Sequence, residues 1–294
     1  MKLRIHAILI TSSLMLFTTG SVHAGDKGGR DVLEKKKVLI ELYTSQGCDS
    51  CPSAADLMGR LGALGYGPDR IVPVAFHVDY FNEPWKDPFS EPDFSRRQLS
   101  YNAVRKRDDL YFTPMMMVDG RYPMLGSDRN EALASIKKAL GERPAASLHL
   151  DLKTEGGSRV LSVEAAAKLP EAVDREVLVG VAVAEDPVST DVPSGENAGK
   201  TLVEHYAVRF FAYKLVKLAR DDVKTLTFPL TAGQDWAVEN CRVGVFVQDR
   251  QNGKVYQADS LPWTTQSGSG EKARSPVKAG RRNTLRGAGS RAKE

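Results

Sequence analysis

The alternation of apolar and polar positions in the first half of the chain predicts strands and helices in turn. A dense apolar run at 37–43, with lysines before it and Thr, Ser, Gln and Gly after it, predicts a buried strand. Apolar residues at helical spacing between 54 and 64 predict a helix after that strand. A second buried strand is predicted at 71–78, and a closing helix at about 128–140. This order is typical of an α/β domain, which we place at residues 36–143.

The period of the pattern changes beyond Pro144, which marks a predicted domain boundary. Alternating or densely apolar stretches predict strands at 147–152, 160–165, 177–184, 223–230 and 243–247. The turn signal Glu155-Gly156-Gly157-Ser158 separates the first two, and Asn252-Gly253 follows the last. Residues 145–262 are therefore predicted to form a small antiparallel β-sandwich. Cys241 shares a face with the valines of its strand, which predicts a buried and inert thiol.

The N-terminus has the three parts of a secretory signal peptide. Positive charges precede an apolar run at about 5–17, and small residues lead to Ala24. This pattern predicts a signal peptide at 1–24 and a mature chain that begins near Gly25, with an uncleaved membrane anchor as the alternative. No later stretch approaches the roughly 18 uninterrupted apolar residues of a spanning helix. We expect a periplasmic or secreted protein with no stable membrane span after signal cleavage.

The net charge of +4 comes from the two ends of the chain. Lys2 and Arg4 contribute +2, and residues 266–294 hold eight Lys or Arg against two Glu, so residues 25–265 have a net charge of −4. The basic balance therefore gives no reason to expect a nucleic-acid partner. Residues 266–294 are rich in Gly, Ser, Lys and Arg and poor in large apolar residues, which predicts a disordered basic tail.

Two of the three cysteines, Cys48 and Cys51, form a C-x-x-C pair between the first predicted strand and helix. The N–H groups and dipole of a helix N-terminus stabilise a thiolate, so we expect an exposed, low-pKa Cys48 and a shielded Cys51. Asp49 opposes that thiolate and favours a more reducing potential. Zinc would need further ligands, and the sequence has no second C-x-x-C and only scattered histidines. We predict no metal and no cofactor.

Later in the chain, Thr113-Pro114 opens an apolar segment that runs into the turn Asp119-Gly120, an uncommon place for a proline in a strand. Together with the C-x-x-C pair, this step resembles the thioredoxin superfamily, in which the corresponding proline is cis and lies against the redox cysteines. More closely, a set of segments resembles a family of bacterial secreted thioredoxin-like proteins of unknown function: 43–52, 77–80, 85–89, 113–120 and 195–202.

The resemblance covers most of residues 36–262 and implies a fold class. That class is α/β, with a thioredoxin-like domain at 36–143 followed by the antiparallel β-sandwich domain at 145–262. The segment at 195–201 is expected to dock onto the first domain. In the insertion at 79–110, the aromatic residues cap the redox site, line a substrate groove or pack beneath an inserted helix, whose basic residues are expected to be solvated.

Two functions follow as hypotheses. In the leading one, the protein is a cell-envelope thiol-disulfide oxidoreductase whose partners are disulfide- or thiol-containing envelope proteins. Cys48 attacks the substrate disulfide, Cys51 resolves the mixed disulfide, and Thr113 and Pro114 present the substrate backbone as an added strand. The alternative is a non-enzymatic thioredoxin-like binding module for a peptide or copper, with a structural Cys48–Cys51 disulfide. His77 is the residue that would join the cysteines around copper, although a core histidine is the plainer interpretation.

Overall fold

A computed structural model describes residues 35–155, 158–168, 174–219 and 222–264. The predictions for 1–24 and 266–294 lie outside these residues. The helices are α1 (Cys51–Arg60), α2 (Pro92–Arg105) and α3 (Arg129–Leu140). The strands are β1 (Val38–Thr44), β2 (Ile71–His77), β3 (Met115–Val118), β4 (Tyr122–Leu125), β5 (Ala146–Glu155), β6 (Ser158–Ala167), β7 (Arg175–Glu185), β8 (Val188–Asp191), β9 (Thr201–Glu204), β10 (Ala207–Leu218), β11 (Val223–Leu230), β12 (Cys241–Asp249) and β13 (Val255–Pro262).

The predicted fold class is wrong, because strands from both halves of the chain belong to one mixed sheet. Within the described residues this sheet has eight strands in the order β13-β12-β7-β10-β2-β1-β3-β4. β1–β2 and β2–β10 pair parallel, whereas all other neighbours in this sheet pair antiparallel. The protein is therefore mostly β, and it is not a separate thioredoxin-like domain followed by a sandwich.

The two halves of the sheet join at one narrow point. β10 pairs with β2 only at Ala207 and Ala75, and the N–H of Ala75 donates to the carbonyl of Tyr206 over 2.8 Å. Most strands were predicted within a few residues of their actual bounds. The local patterns were thus right, but they gave no sign of this pairing between distant segments, which unites the sheet.

The faces of β1 show how the layers are stacked. Its even-numbered apolar residues, such as Ile40, pack with α1 and α3 on one side. Leu39 and Tyr43 point to the other side and pack with residues of β7, β10, β12 and β13, among them Phe246. The far side of those strands packs on the three-stranded sheet β11-β6-β5. Because β1 is buried on both faces, its sequence is an apolar run apart from Glu41 and the final Thr44.

Helix α2 packs on the eight-stranded sheet through a buried ion pair. Arg97, which was predicted to lie on a solvated face, is buried and donates from Nε to Glu41 of β1 over 2.7 Å. Its guanidinium lies 4.9 Å from the ring centroid of Phe246 in β12, and Nη2 donates to Gln248 over 3.2 Å. The prediction of a solvated Arg97 is wrong, because this side chain faces the sheet and pairs with a buried carboxylate. None of the helices in the described part of the chain is long and apolar enough to cross a membrane.

Candidate thiol site

The turn between β1 and α1 carries the cysteine pair. The N–H of Cys48 donates to the carbonyl of Ser45 over 3.2 Å, which closes the turn after the strand. Ser50 is the N-cap residue, and α1 begins at Cys51 with Pro52 in its first turn, where a missing N–H costs nothing. Cys51, rather than Cys48, is thus the first helical residue, and Cys48 lies just before the helix.

Both thiols of the pair are free, and their Sγ atoms are 2.6 Å apart. Each side chain is 2% exposed, so the expectation of an exposed Cys48 is wrong. The neighbours Asp49 and Ser50 are exposed, which places the sulfur just under the surface.

The environment makes the two cysteines chemically unequal, as the sequence predicted. The hydrogen bond from Cys51 lowers the pKa of Cys48 to about 6; burial opposes this effect, and bonds from Ser50 and Thr113 add to it. Burial and the charge and hydrogen bond of Cys48 raise the pKa of Cys51 well above its ordinary value. At neutral pH Cys48 is therefore the thiolate and Cys51 the proton donor that stabilises it.

Thr113 and Pro114 lie at this site. The peptide bond between them is cis, as predicted. Pro114 is buried. A Cβ atom added at Gly126 would lie 3.1 Å from the Cβ of Pro114 and 3.0 Å from the Cβ of Ala54 in α1, so these two residues pack around the same glycine. Thr113 Oγ1 is buried and has no other hydrogen-bond partner among the described residues, which leaves it to the Cys48 thiolate.

The loop between β8 and β9 completes the site from far along the chain. Asn197 is fully buried, and its Nδ2 donates to the carbonyls of Gln46 and Cys48, both over 2.9 Å. The exposed Glu196 accepts the N–H of Asp49 at Oε2 over 2.9 Å. The docking of 195–201 onto the first half was predicted, but these two roles were not. The only signal was a polar, glycine-flanked segment, Gly195 to Gly199.

Behind the turn lies a buried polar cluster. His77 Nδ1 is 2.7 Å from Asp87 Oδ2, which also accepts the N–H of Gln46 over 2.8 Å. Burial alone would lower the pKa of His77, but the charges of Asp87 and Glu204 outweigh burial and raise it. His77 Nε2 lies 3.9 Å from Glu204 Oε2, and neither atom has a hydrogen-bond partner in the described part of the chain. His77 is therefore a core histidine held by a carboxylate.

Tyr80 of the insertion packs against Tyr111, which directly follows the insertion. Tyr80 is 36% exposed and Tyr111 is 41% exposed, with ring centroids 4.5 Å apart. Burial raises the pKa of Tyr80, and the charges of Tyr111 and of both cysteines raise it further, which places Tyr80 within electrostatic reach of the pair. Phe94, by contrast, packs beneath α2 against Phe76. The packing expected for the insertion thus occurs at Phe94, and a capping role for Tyr80 stays a prediction.

The other sulfur-containing side chains of the described residues lie in the core. Burial raises the pKa of Cys241 to about 12, and this residue packs with the valines of its strand, which confirms the buried, unreactive thiol. Met115, Met116 and Met117 are fully buried. Among the described residues, no three His, Cys, Asp or Glu side chains are grouped so that they could hold a metal ion.

The fold and the site define a class: a mixed-sheet protein with an unequal C-x-x-C thiol pair that a cis-proline segment and a distant hairpin loop enclose. The chain belongs to the family described as "Protein of unknown function (DUF1223)", which matches residues 39–248.

Two solved structures share this fold. The chain is similar to protein AGR_C_4864 from Agrobacterium tumefaciens, with 22% identity, a TM-score of 0.59 and coverage of 81% of this chain and 99% of that one. It is also similar to HBP35 of Porphyromonas gingivalis, with 14% identity, a TM-score of 0.62 and coverage of 82% and 80%. No curated protein matches the sequence. At these identities, the structural likenesses show the fold alone.

Proposed function

We propose that the protein is a thiol-disulfide oxidoreductase in which Cys48 is the nucleophile and Cys51 the resolving thiol. The observation that carries this proposal is the arrangement of the pair, with the two free Sγ atoms 2.6 Å apart at the start of α1 and the cis Thr113-Pro114 step beside them. The unequal pKa values support it, since that of Cys48 is lowered to about 6 and that of Cys51 is raised. A structural thiol pair has no use for this difference, whereas an attacking thiol needs a pKa near the ambient pH. The signal-peptide pattern at 1–24 supports a periplasmic or secreted location.

The reaction proceeds in two exchanges. The Cys48 thiolate attacks one sulfur of a substrate disulfide, a Cys48–substrate disulfide forms, and the other substrate sulfur leaves as a thiolate and takes up a proton. Cys51 then loses its proton and attacks Cys48 Sγ, so that a Cys48–Cys51 disulfide forms and the second substrate sulfur leaves. The substrate gains two electrons and the pair loses two. Forming the mixed disulfide also removes the Cys48 charge, one cause of the raised pKa of Cys51.

The surface beside the cysteines suits a peptide substrate. Thr113 offers its backbone next to Cys48, where an extended segment can pair as an added strand. Pro114 has no N–H, and its carbonyl accepts the N–H of Gly126, so its part is to fix the cis geometry of this segment. Tyr80 and Tyr111 offer exposed rings for an apolar side chain of that segment. Since Cys48 is 2% exposed, substrate entry requires a local movement at the turn.

A non-reducing gel of cell-envelope protein tests the function. Cys51→Ser should accumulate mixed disulfides with envelope proteins because the resolving step is lost, while Cys48→Ser should trap nothing. Cys241→Ser serves as the matched control and should leave both results unchanged. If the Cys51→Ser lane matches wild type, the oxidoreductase proposal fails and the non-enzymatic binding module becomes the better account.

A further inference from the structure

The loop between β8 and β9 touches the Cys48 turn at the backbone on both sides of the nucleophile. Asn197 binds the carbonyls of Gln46 and Cys48, and Glu196 binds the N–H of Asp49. Lys200 in turn donates from Nζ to Asn197 Oδ1 over 2.9 Å, so the amide has a fixed orientation. None of these hydrogen bonds involves a sulfur atom, yet together they determine where the turn lies.

We propose that Asn197 and Glu196 are positioning residues that set the reactivity of Cys48 in opposite directions. Asn197 holds the turn that presents the sulfur to its hydrogen-bond donors. The carboxylate of Glu196 weakens the electrostatic support that the start of α1 gives to the thiolate. This inference rests on the proposed function only in taking Cys48 as the reacting sulfur.

The role of Asn197 follows from its burial. It is fully buried, and without its amide two carbonyls beside Cys48 would lose their donor in a place where water does not easily replace it. The turn would then relax. The thiolate depends on hydrogen bonds from Cys51, Ser50 and Thr113, whose strength falls steeply as geometry worsens. Loss of Asn197 should therefore raise the pKa of Cys48.

The role of Glu196 follows from its charge. The N–H that it accepts belongs to Asp49, between Cys48 and the N-cap Ser50, close to the positive end of the α1 dipole, which favours a negative charge. A fixed carboxylate there repels a second negative charge on the neighbouring thiol. Glu196 is exposed, so salt should screen this repulsion, whereas it should not replace the buried bonds of Asn197.

The test measures the rate at which iodoacetamide labels the reduced full-length protein as a function of pH, with the Cys48 peptide followed by mass spectrometry. Glu196→Gln keeps an acceptor for Asp49 but removes the charge, and should speed labelling at pH 5.5 about two-fold. That gain should vanish in about 1 M salt. Relative to its own plateau rate at high pH, which absorbs any change in access to the relaxed turn, Asn197→Ala should slow labelling at pH 5.5 about three- to ten-fold. Asp191→Asn, which removes an exposed carboxylate elsewhere on the hairpin, should change nothing.

The proposal is supported if Glu196→Gln speeds the labelling of Cys48 and Asn197→Ala slows it. It is overturned if both variants change the labelling rate in the same direction, or if either variant leaves the rate unchanged. If Asn197→Ala does not fold, Lys200→Met takes its place. It leaves the amide in position but frees its orientation, and should slow labelling in the same direction; unchanged or faster labelling there overturns the role of Asn197. Opposite shifts in a protein whose Cys51→Ser variant traps no partner support the positioning roles and count against the oxidoreductase alone.

Discussion

At the scale of single residues, the chemistry of the site depends on which groups donate hydrogen bonds to Cys48 Sγ. Cys51 provides the strongest bond, and Ser50 and Thr113 provide weaker ones. Cys48 Sγ lies 3.3 Å from Ser50 Oγ, and the Thr113 hydroxyl is buried with no competing partner among the described residues. Burial works against the thiolate throughout, so each donor offsets part of that cost.

Thr113→Val should raise the pKa of Cys48 by about 0.5–1, because valine keeps the shape of threonine but removes a donor worth about 0.5–1.5 kcal/mol. The pH dependence of thiolate absorbance measures this change. Thr201→Val is a suitable control, since its hydroxyl binds Asp191 on the exposed hairpin. An unchanged Cys48 titration in Thr113→Val would mean that the hydroxyl does not reach the sulfur.

At the scale of elements, α2 is attached to the sheet by one buried ion pair surrounded by hydroxyls. Besides Arg97, Glu41 accepts Tyr43 over 2.9 Å at Oε1 and Tyr101 over 2.5 Å at Oε2. Gln248 of β12 donates to the Tyr101 hydroxyl over 2.9 Å. The network therefore joins helix α2 to strand β1 of the first half of the chain and to strand β12 of the second half.

Arg97→Met should destabilise the protein by about 3–5 kcal/mol, because it leaves the Glu41 carboxylate buried without its counter-charge. Urea unfolding measures the loss. Arg96→Met is the matched control, since Arg96 is an exposed neighbour paired with Asp93, and it should change stability by less than about 1 kcal/mol. Similar effects of the two substitutions would contradict the network's role in attaching α2.

Strand β1 and helix α1 could be predicted from the sequence because their signals are local. The run at 38–44 and the helical spacing after Cys51 contain all the information that β1 and α1 need. Arg97 could not be placed in the same way. Its sequence neighbourhood is charged, and its burial depends on Glu41, a residue 56 positions away. Asn197 was missed for the same reason, since its contact with Cys48 spans 149 positions.

At the scale of the whole molecule, one hydrophobic core shared by the two halves of the chain explains why they form one sheet. Leu39, Val72 and Phe76 of the first half pack against Ala182, Phe246 and other residues of the second. Each half of the sheet thus supplies one face of a shared core. The apolar pattern showed that these faces must be buried, but a pattern does not name the partner that buries them.

Residues 35–143 expressed alone should fail to unfold cooperatively, because the face of β1 and β2 that packs on the second half would be exposed to water. Residues 35–264 form the control and should unfold in one cooperative transition. Urea titration followed by tryptophan fluorescence and circular dichroism compares them. A sharp, coincident transition for 35–143 would instead support the predicted domain boundary at Pro144.

The central claim is that Cys48 and Cys51 form a reversible redox pair, and equilibration with glutathione buffers tests it most directly. After acid quenching and alkylation, mass spectrometry gives the fraction of molecules with a Cys48–Cys51 disulfide at each potential. We predict a single two-electron transition between about −180 and −270 mV, reached from both the reduced and the oxidised protein. A pair that stays fully reduced, or fully oxidised, across the whole range would contradict the account.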